Sequence, residues 1–355
     1  MPVVYGIGRS DMISARQALL FAVAGGAAPA FRSRCWALAF SSEAAAAVPH
    51  PSLDRKTLVS VDDCLDAYRS DPNGIVFVDA SWYHRSARSG RDEFISGPRL
   101  PNARYIDMDD ICAKLDANPK NLPHMMPDKD LFAAMMDALN IANDDRIVIY
   151  GRDGCVFTPR TYFLFQQCGH DESNLHLLQG SLEEWAERGG AIEEGTASIP
   201  NANDVDLKKS ATYKARDPIN VVDMERMTKA VERQGNDANA CNADDFGEII
   251  IDPRGSTFDK AHMPGAINIP YRTIVTDDDT LKFRPKEELE ALFKEAGVDI
   301  NTDRKIMLTC GSGVSVCHLW VALAECGRDN ADKTFVYDGS WAEWGAEEAT
   351  PKVSS

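Results

Sequence analysis

The sequence predicts an α/β protein of two tandem domains, each a mainly parallel sheet flanked by helices on both faces. An internal repeat is the first sign: Gly180-Ser181-Leu182-Glu183-Glu184-Trp185 recurs as Gly339-Ser340-Trp341-Ala342-Glu343-Trp344. The same spacing carries Gly151, which follows Ile147-Val148-Ile149-Tyr150, onto Cys310, which follows Ile306-Met307-Leu308-Thr309. The second sign is alternation. Short Ile/Val-rich runs bounded by Asp, Gly or Pro read as buried parallel strands, and the stretches between them carry helical periodicity. A strand-helix alternation of this kind covers both faces of a parallel sheet.

In chain order, residues 1–48 stand apart as a transit peptide or disordered tail. Up to residue 42, Arg9, Arg16, Arg32 and Arg34 face a single acid, Asp11, among Ser, Ala and Leu. Basic, acid-poor composition is that of a mitochondrial presequence, with a cytoplasmic location as the alternative. The first domain is expected over 56–195, with a strand at Ile75-Val76-Phe77-Val78-Asp79, a helix from Asp130 to Leu139 and a strand at Ile147–Tyr150. Residues 196–217 contain Pro200, Asn201 and Asn203 and little periodicity, and they read as the interdomain linker. The second domain, 218–350, repeats the pattern. Glu248-Ile249-Ile250-Ile251-Asp252 answers the strand ending at Asp79, and Met263-Pro264-Gly265-Ala266 answers Leu100-Pro101-Asn102-Ala103. A helix follows from Lys286 to Ala296, then the strand from Lys305 to Thr309.

Bulk properties exclude several classes. Hydrophobic content of 44% and charged content of 26% suit a soluble globular chain. A formal charge of -17 argues against nucleic acid, since phosphate contacts need clustered Lys and Arg. No apolar run reaches the ~18 residues of a membrane span. Nine cysteines without a Cys-x-x-Cys pair suggest neither a disulfide framework nor a zinc site. Gly151-Arg152-Asp153-Gly154 is too short a pattern for a nucleotide site, and no cofactor is expected.

The chemistry is expected at Cys310-Gly311-Ser312-Gly313-Val314-Ser315, between a buried strand and a helix whose face carries Val316, Leu319, Trp320, Leu323 and Ala324. Free N–H groups and the positive helix end stabilise negative charge there. Gly311 and Gly313 let the loop curl its amides inward as an anion-binding nest. Such a loop suits a nucleophile whose substrate is, or becomes, anionic. Gly151 stands at the equivalent place of the first half, so only the second half is armed. Cys155 reads as a packing residue, and Cys317 as a core thiol with redox pairing as the alternative.

This loop, followed by Asp338-Gly339-Ser340-Trp341-Ala342-Glu343-Trp344, resembles the active half of rhodanese-type sulfurtransferases. Asp252-x-Arg254 and His262-x-Pro264-Gly265-Ala266 match further family signatures, while Asp79-Ala80-Ser81-Trp82-Tyr83 and Gly90-Arg91-Asp92 look like the inactive domain of two-domain members. The resemblance implies two rhodanese-like domains and a persulfide on Cys310. Its uncharged loop is similar to that of the 3-mercaptopyruvate sulfurtransferase type, whose donor is a thiol-bearing carboxylate; thiosulfate-preferring members carry cations there. Further roles follow from the same resemblance. Ser312 is implied as the proton relay, Asp109 as the acid assisting it, and Arg254 and His124 as substrate-binding residues with Gly311, Gly313, Val314 and Ser315. The family's second arginine, on an insertion before the His-x-Pro-Gly motif, has no counterpart in Gly255–Ala261; Lys260, Arg272 and Arg160 are candidates to supply the charge. Thioredoxin, a low-molecular-weight thiol or cyanide is the expected acceptor. Three alternatives stand beside this reading: a thiosulfate sulfurtransferase, a non-catalytic binding module, and a cysteine phosphatase. The last requires an arginine closing a longer loop, where Val316 stands.

Overall fold

A computed structural model describes residues 52–84, 86–200, 205–207, 209–234, 247–276 and 280–355. The proposed presequence lies outside them. Two five-stranded sheets are present, every strand pair parallel. The first holds β1 (Leu58–Ser60), β2 (Val76–Asp79), β3 (Arg104–Tyr105), β4 (Ile147–Gly151) and β5 (Leu175–Ser181) in the order β1-β5-β4-β2-β3. Its helices are α1 (Val61–Ser70), α2 (Gly90–Ser96), α3 (Lys129–Leu139), α4 (Thr158–Gln167) and α5 (Leu182–Glu187). The second holds β6 (Val221–Val222), β7 (Ile249–Asp252), β8 (Ala266–Asn268), β9 (Ile306–Leu308) and β10 (Thr334–Tyr337) in the equivalent order β6-β10-β9-β7-β8. Helices α6 (Met224–Gln234), α7 (Thr257–Lys260), α8 (Tyr271–Ile274), α9 (Lys286–Glu295), α10 (Val316–Glu325) and α11 (Ser340–Trp344) complete it. The repeat extends to register: Val78 faces Ile149 and, at the equivalent places, Ile251 faces Leu308.

Strand alternation sorts the core into layers. Val148 and Tyr150 join α1 and α5 on one face of the first sheet, and Ile147 and Ile149 join α3 and α4 on the other. Ile250 and Met307 pack with α6 and Trp344, while Ile251, Ile306 and Leu308 share one continuous core with the first domain's inner face. Helix α4 lies at the centre, and each of its ten residues is buried. A helix buried all round has partners on every side: sheet one below it and α10 above. Phe163 meets Trp320 edge-on at 5.0 Å, and the Trp320 indole donates to Gln166 Oε1 at 2.7 Å.

Local chemistry sets the element ends. Asp128 caps α3 by accepting from Leu131 N–H at 2.8 Å, and Asn140 closes it in the left-handed conformation (φ 53°). Of the expected linker, 196–217, residues 196–200, 205–207 and 209–217 are described. Its described part is a fastened strap: Asp137 accepts from Thr212 N–H at 2.7 Å and Tyr213 N–H at 2.9 Å, Tyr213 is buried against Phe132, and Arg216 N–H donates to Cys168 O. Its polar residues satisfy ends of α3 and α4. Among the described residues no helix is long and apolar enough to cross a membrane.

Candidate active site

Cys310 stands just beyond β9, only 1% exposed, and begins the turn into α10. The turn is shaped from behind by Ser340. Its hydroxyl accepts from Cys310 N–H at 3.1 Å and Gly313 N–H at 3.2 Å, donates to Tyr337 O at 2.8 Å, and lies 3.9 Å from Cys310 Sγ. To aim it there the backbone of Ser340 adopts φ 51°, a conformation costing a non-glycine residue of order 1 kcal/mol or more. Two further bonds, Trp341 N–H to Cys310 O and Ala342 N–H to Gly311 O, tie the start of α11 to the loop. No side chain caps α10, and the amides of Gly311, Ser312, Val314 and Ser315 make no hydrogen bond among the described residues. They are free to meet an anion.

The two loop glycines are not alike. Gly313 sits at φ 77°, and a Cβ there would meet Asp338 Oδ1 at 2.7 Å. Its N–H and carbonyl both face protein, so it shapes the loop from beneath and is not on the cleft wall with the other expected loop residues. At Gly311 a Cβ would meet nothing within 4 Å. A side chain there would project into open space.

Above the loop lies a cleft of about 730 Å³ between the two sheets' loops. Cys310, Gly311, Ser312, Val314, Ser315 and Arg254 line it from the second domain, His124 from the first. Trp82, Phe157, Tyr271 and Trp341 form aromatic walls that sequence reasoning did not assign. Arg254 holds buried Asp252 through Nη2 at 2.7 Å and Nε at 2.8 Å, and stacks 4.5 Å above Trp341. Nη1 alone of its guanidinium nitrogens makes no bond among the described residues. Lys260 also reaches the wall. The other candidate cations do not: Arg272 stacks outside on Tyr271, and Arg160 is buried.

Arg160 fastens the domains beneath the site. Its Nη1 binds Asp338 Oδ1 at 3.0 Å and Gly313 O at 2.9 Å, and Nη2 donates to His124 O at 2.5 Å. Asp338 in turn accepts from Met126 N–H at 2.5 Å. His124 is thereby held at φ 59°, with Nδ1 2.9 Å from Asp109 Oδ1 and its ring edge-on to Trp82. Asp109 itself is not on the cleft wall. Its carboxylate is taken up by His124 and by Trp82 Nε1 at 3.0 Å, contacts that hold it below the usual carboxylate range. The expected acid therefore stands behind His124 and orients that ring.

Cys317 and Cys155 are packing groups. Cys317 is buried, bonds to Gly313 O at 3.5 Å, and burial pushes its thiol up to about 12. Cys155 lies against Gly151, accepts from Trp82 N–H at 3.4 Å, and is pushed up to about 11. It fills the space where the first domain lacks a nucleophile, and Arg152 closes the gap by reaching buried Asp79 at 3.4 Å. Ser340 was missed as a functional residue for one reason. The motif holding Ser340 recurs in both halves, so it marks the fold as much as the chemistry.

A model of the rhodanese-like domain matches residues 65–188 and 235–347. The mouse 3-mercaptopyruvate sulfurtransferase is 31% identical over 288 residues, covering 80% of this chain and 89% of the relative. The Arabidopsis thaliana thiosulfate/3-mercaptopyruvate sulfurtransferase 1, mitochondrial, is 29% identical over 92% of this chain and 87% of its own. The crystal structure of the Escherichia coli 3-mercaptopyruvate sulfurtransferase has the same fold, with a TM-score of 0.63 at 24% identity over 81% of this chain and 99% of that one.

Proposed function

The chain belongs to the rhodanese family, and from that premise we propose that it moves sulfur from 3-mercaptopyruvate to a thiol acceptor or cyanide. The observation carrying this reading is the uncharged loop over Cys310, whose amides are free to meet an anion that Ser312 can serve with a proton. The Cys310 thiolate attacks the donor sulfur. An S–S bond forms, the donor's C–S bond breaks toward carbon, and the enolate of pyruvate takes up a proton through Ser312. An acceptor thiolate then attacks the outer sulfur of the persulfide and leaves as its own persulfide, returning the electron pair to Cys310. Arg254 Nη1 and the His124 ring hold the donor's carboxylate and carbonyl, and Asp109 orients His124. Thioredoxin or a low-molecular-weight thiol is the acceptor, and neither nucleic acid nor membrane takes part. Mass spectrometry after exposure to 3-mercaptopyruvate is expected to find one added sulfur on Cys310; an unmodified Cys310 overturns the mechanism.

Thiosulfate is the second reading for the donor, favoured by the double name of the Arabidopsis relative. Steady-state kinetics with both donors decides, and a higher kcat/KM for thiosulfate reverses the assignment. We further propose that residues 1–48 direct the chain to mitochondria. A fluorescent protein fused behind them is expected in that organelle, and a cytoplasmic signal refutes the address.

A further inference from the structure

The donor groups that Arg254 and His124 bring to the cleft stand beside carboxylates. Arg254 lies against Asp252 and His124 against Asp109, so each pair brings an anion with its donor groups. No Asp or Glu lines the cleft, and Lys260 is the one lysine or arginine on its wall without a carboxylate partner among the described residues. It ends α7, the short helix between Arg254 and His262, and is exposed, on a stem long enough to swing across the mouth. An incoming anion therefore meets its first uncompensated positive charge at Lys260. Arg254, locked on Asp252 and stacked on Trp341, offers geometry rather than net charge.

We infer that Lys260 selects the charge of the molecule that reaches Cys310, favouring a small anion over a neutral molecule of equal size. The inference rests on the sulfurtransferase reading for its biological substrate, but not for its test. Iodoacetate and iodoacetamide differ by one charge, and both alkylate a thiolate with loss of iodide. In the full chain, the ratio of their rates of Cys310 alkylation is expected to fall about fivefold in Lys260→Gln and to be retained in Lys260→Arg. High salt is expected to produce the same fall in the unaltered protein. With 3-mercaptopyruvate, Lys260→Gln is expected to raise KM while leaving kcat near its original value. An alkylation ratio unchanged in Lys260→Gln overturns the inference even where sulfur transfer is intact. A changed ratio with no sulfur transfer from any donor supports it and overturns the sulfurtransferase reading instead.

Discussion

At the scale of single residues, the site depends on one sulfur and on the hydroxyl beneath it. Cys310→Ser is expected to abolish sulfur transfer with the fold intact, because the replacement is nearly isosteric; transfer at the original rate would refute the nucleophile. Ser340 offers a finer test. Ser340→Gly keeps the backbone at φ 51° without strain but leaves the N–H groups of Cys310 and Gly313 without an acceptor. Buried donors left without an acceptor cost roughly 1–3 kcal/mol, so Tm is expected to fall, and kcat/KM to fall about ten- to a hundredfold as the loop loses its support. Cys310 was legible in the sequence because strand, nucleophile and paired glycines are contiguous. The precise place of Asp109 was not, because its carboxylate is turned aside by Trp82 and His124, contacts that no local pattern encodes.

Secondary-structure elements were legible wherever apolar runs were long. The strands at 76–79, 147–151, 249–252 and 306–308, and helices α3 and α9, fall within a residue or two of expectation. Two-residue strands such as β3 and β6 carry too little pattern to be read, since pairing with neighbours defines them. Helix α10 makes a prediction at this scale. His318 is buried in it, with Nε2 2.7 Å from Val156 O across the domain boundary and Nδ1 3.1 Å from Ser315 O. Burial outweighs both carbonyl contacts and pushes the imidazole down to about 4. The folded state thus binds fewer protons than the unfolded one between that value and the free imidazole's ~6.5. Stability from this group is full above that window and lost as pH falls through it, by on the order of 3 kcal/mol. Urea unfolding at pH 7 and pH 4.5 is expected to show the loss, and His318→Gln to reduce it.

Across the whole molecule, the halves hold each other by equivalent loops. Residues 120–126 of the first domain bind the Asp338–Glu343 turn through Lys120 and Met126. Residues 281–283 of the second bind Gly180 and Gln179 of the corresponding turn. Arg160 and Asp338 are the buried charge pair of this joint. Arg160→Met is expected to cost about 3–5 kcal/mol, because it strands the Asp338 carboxylate, and adding Asp338→Asn to recover part of that. Chemical denaturation measures both; an equal loss in the double variant would remove the ion pair from the account. The duplication was legible from four matched landmarks. The joint was not, because its partners lie far apart in the chain and belong to different halves.

The burial of α4 on every side has a thermodynamic consequence. A helix packed between its own sheet and α10 of the other half cannot lose either without exposing its apolar surface to water, so neither half has a folded state of its own to fall back on. Heating is therefore expected to produce a single calorimetric transition whose van't Hoff and measured enthalpies agree, rather than two steps. The half that lost its nucleophile persists in this protein as part of the other half's stability, and its unfolding is the unfolding of the enzyme.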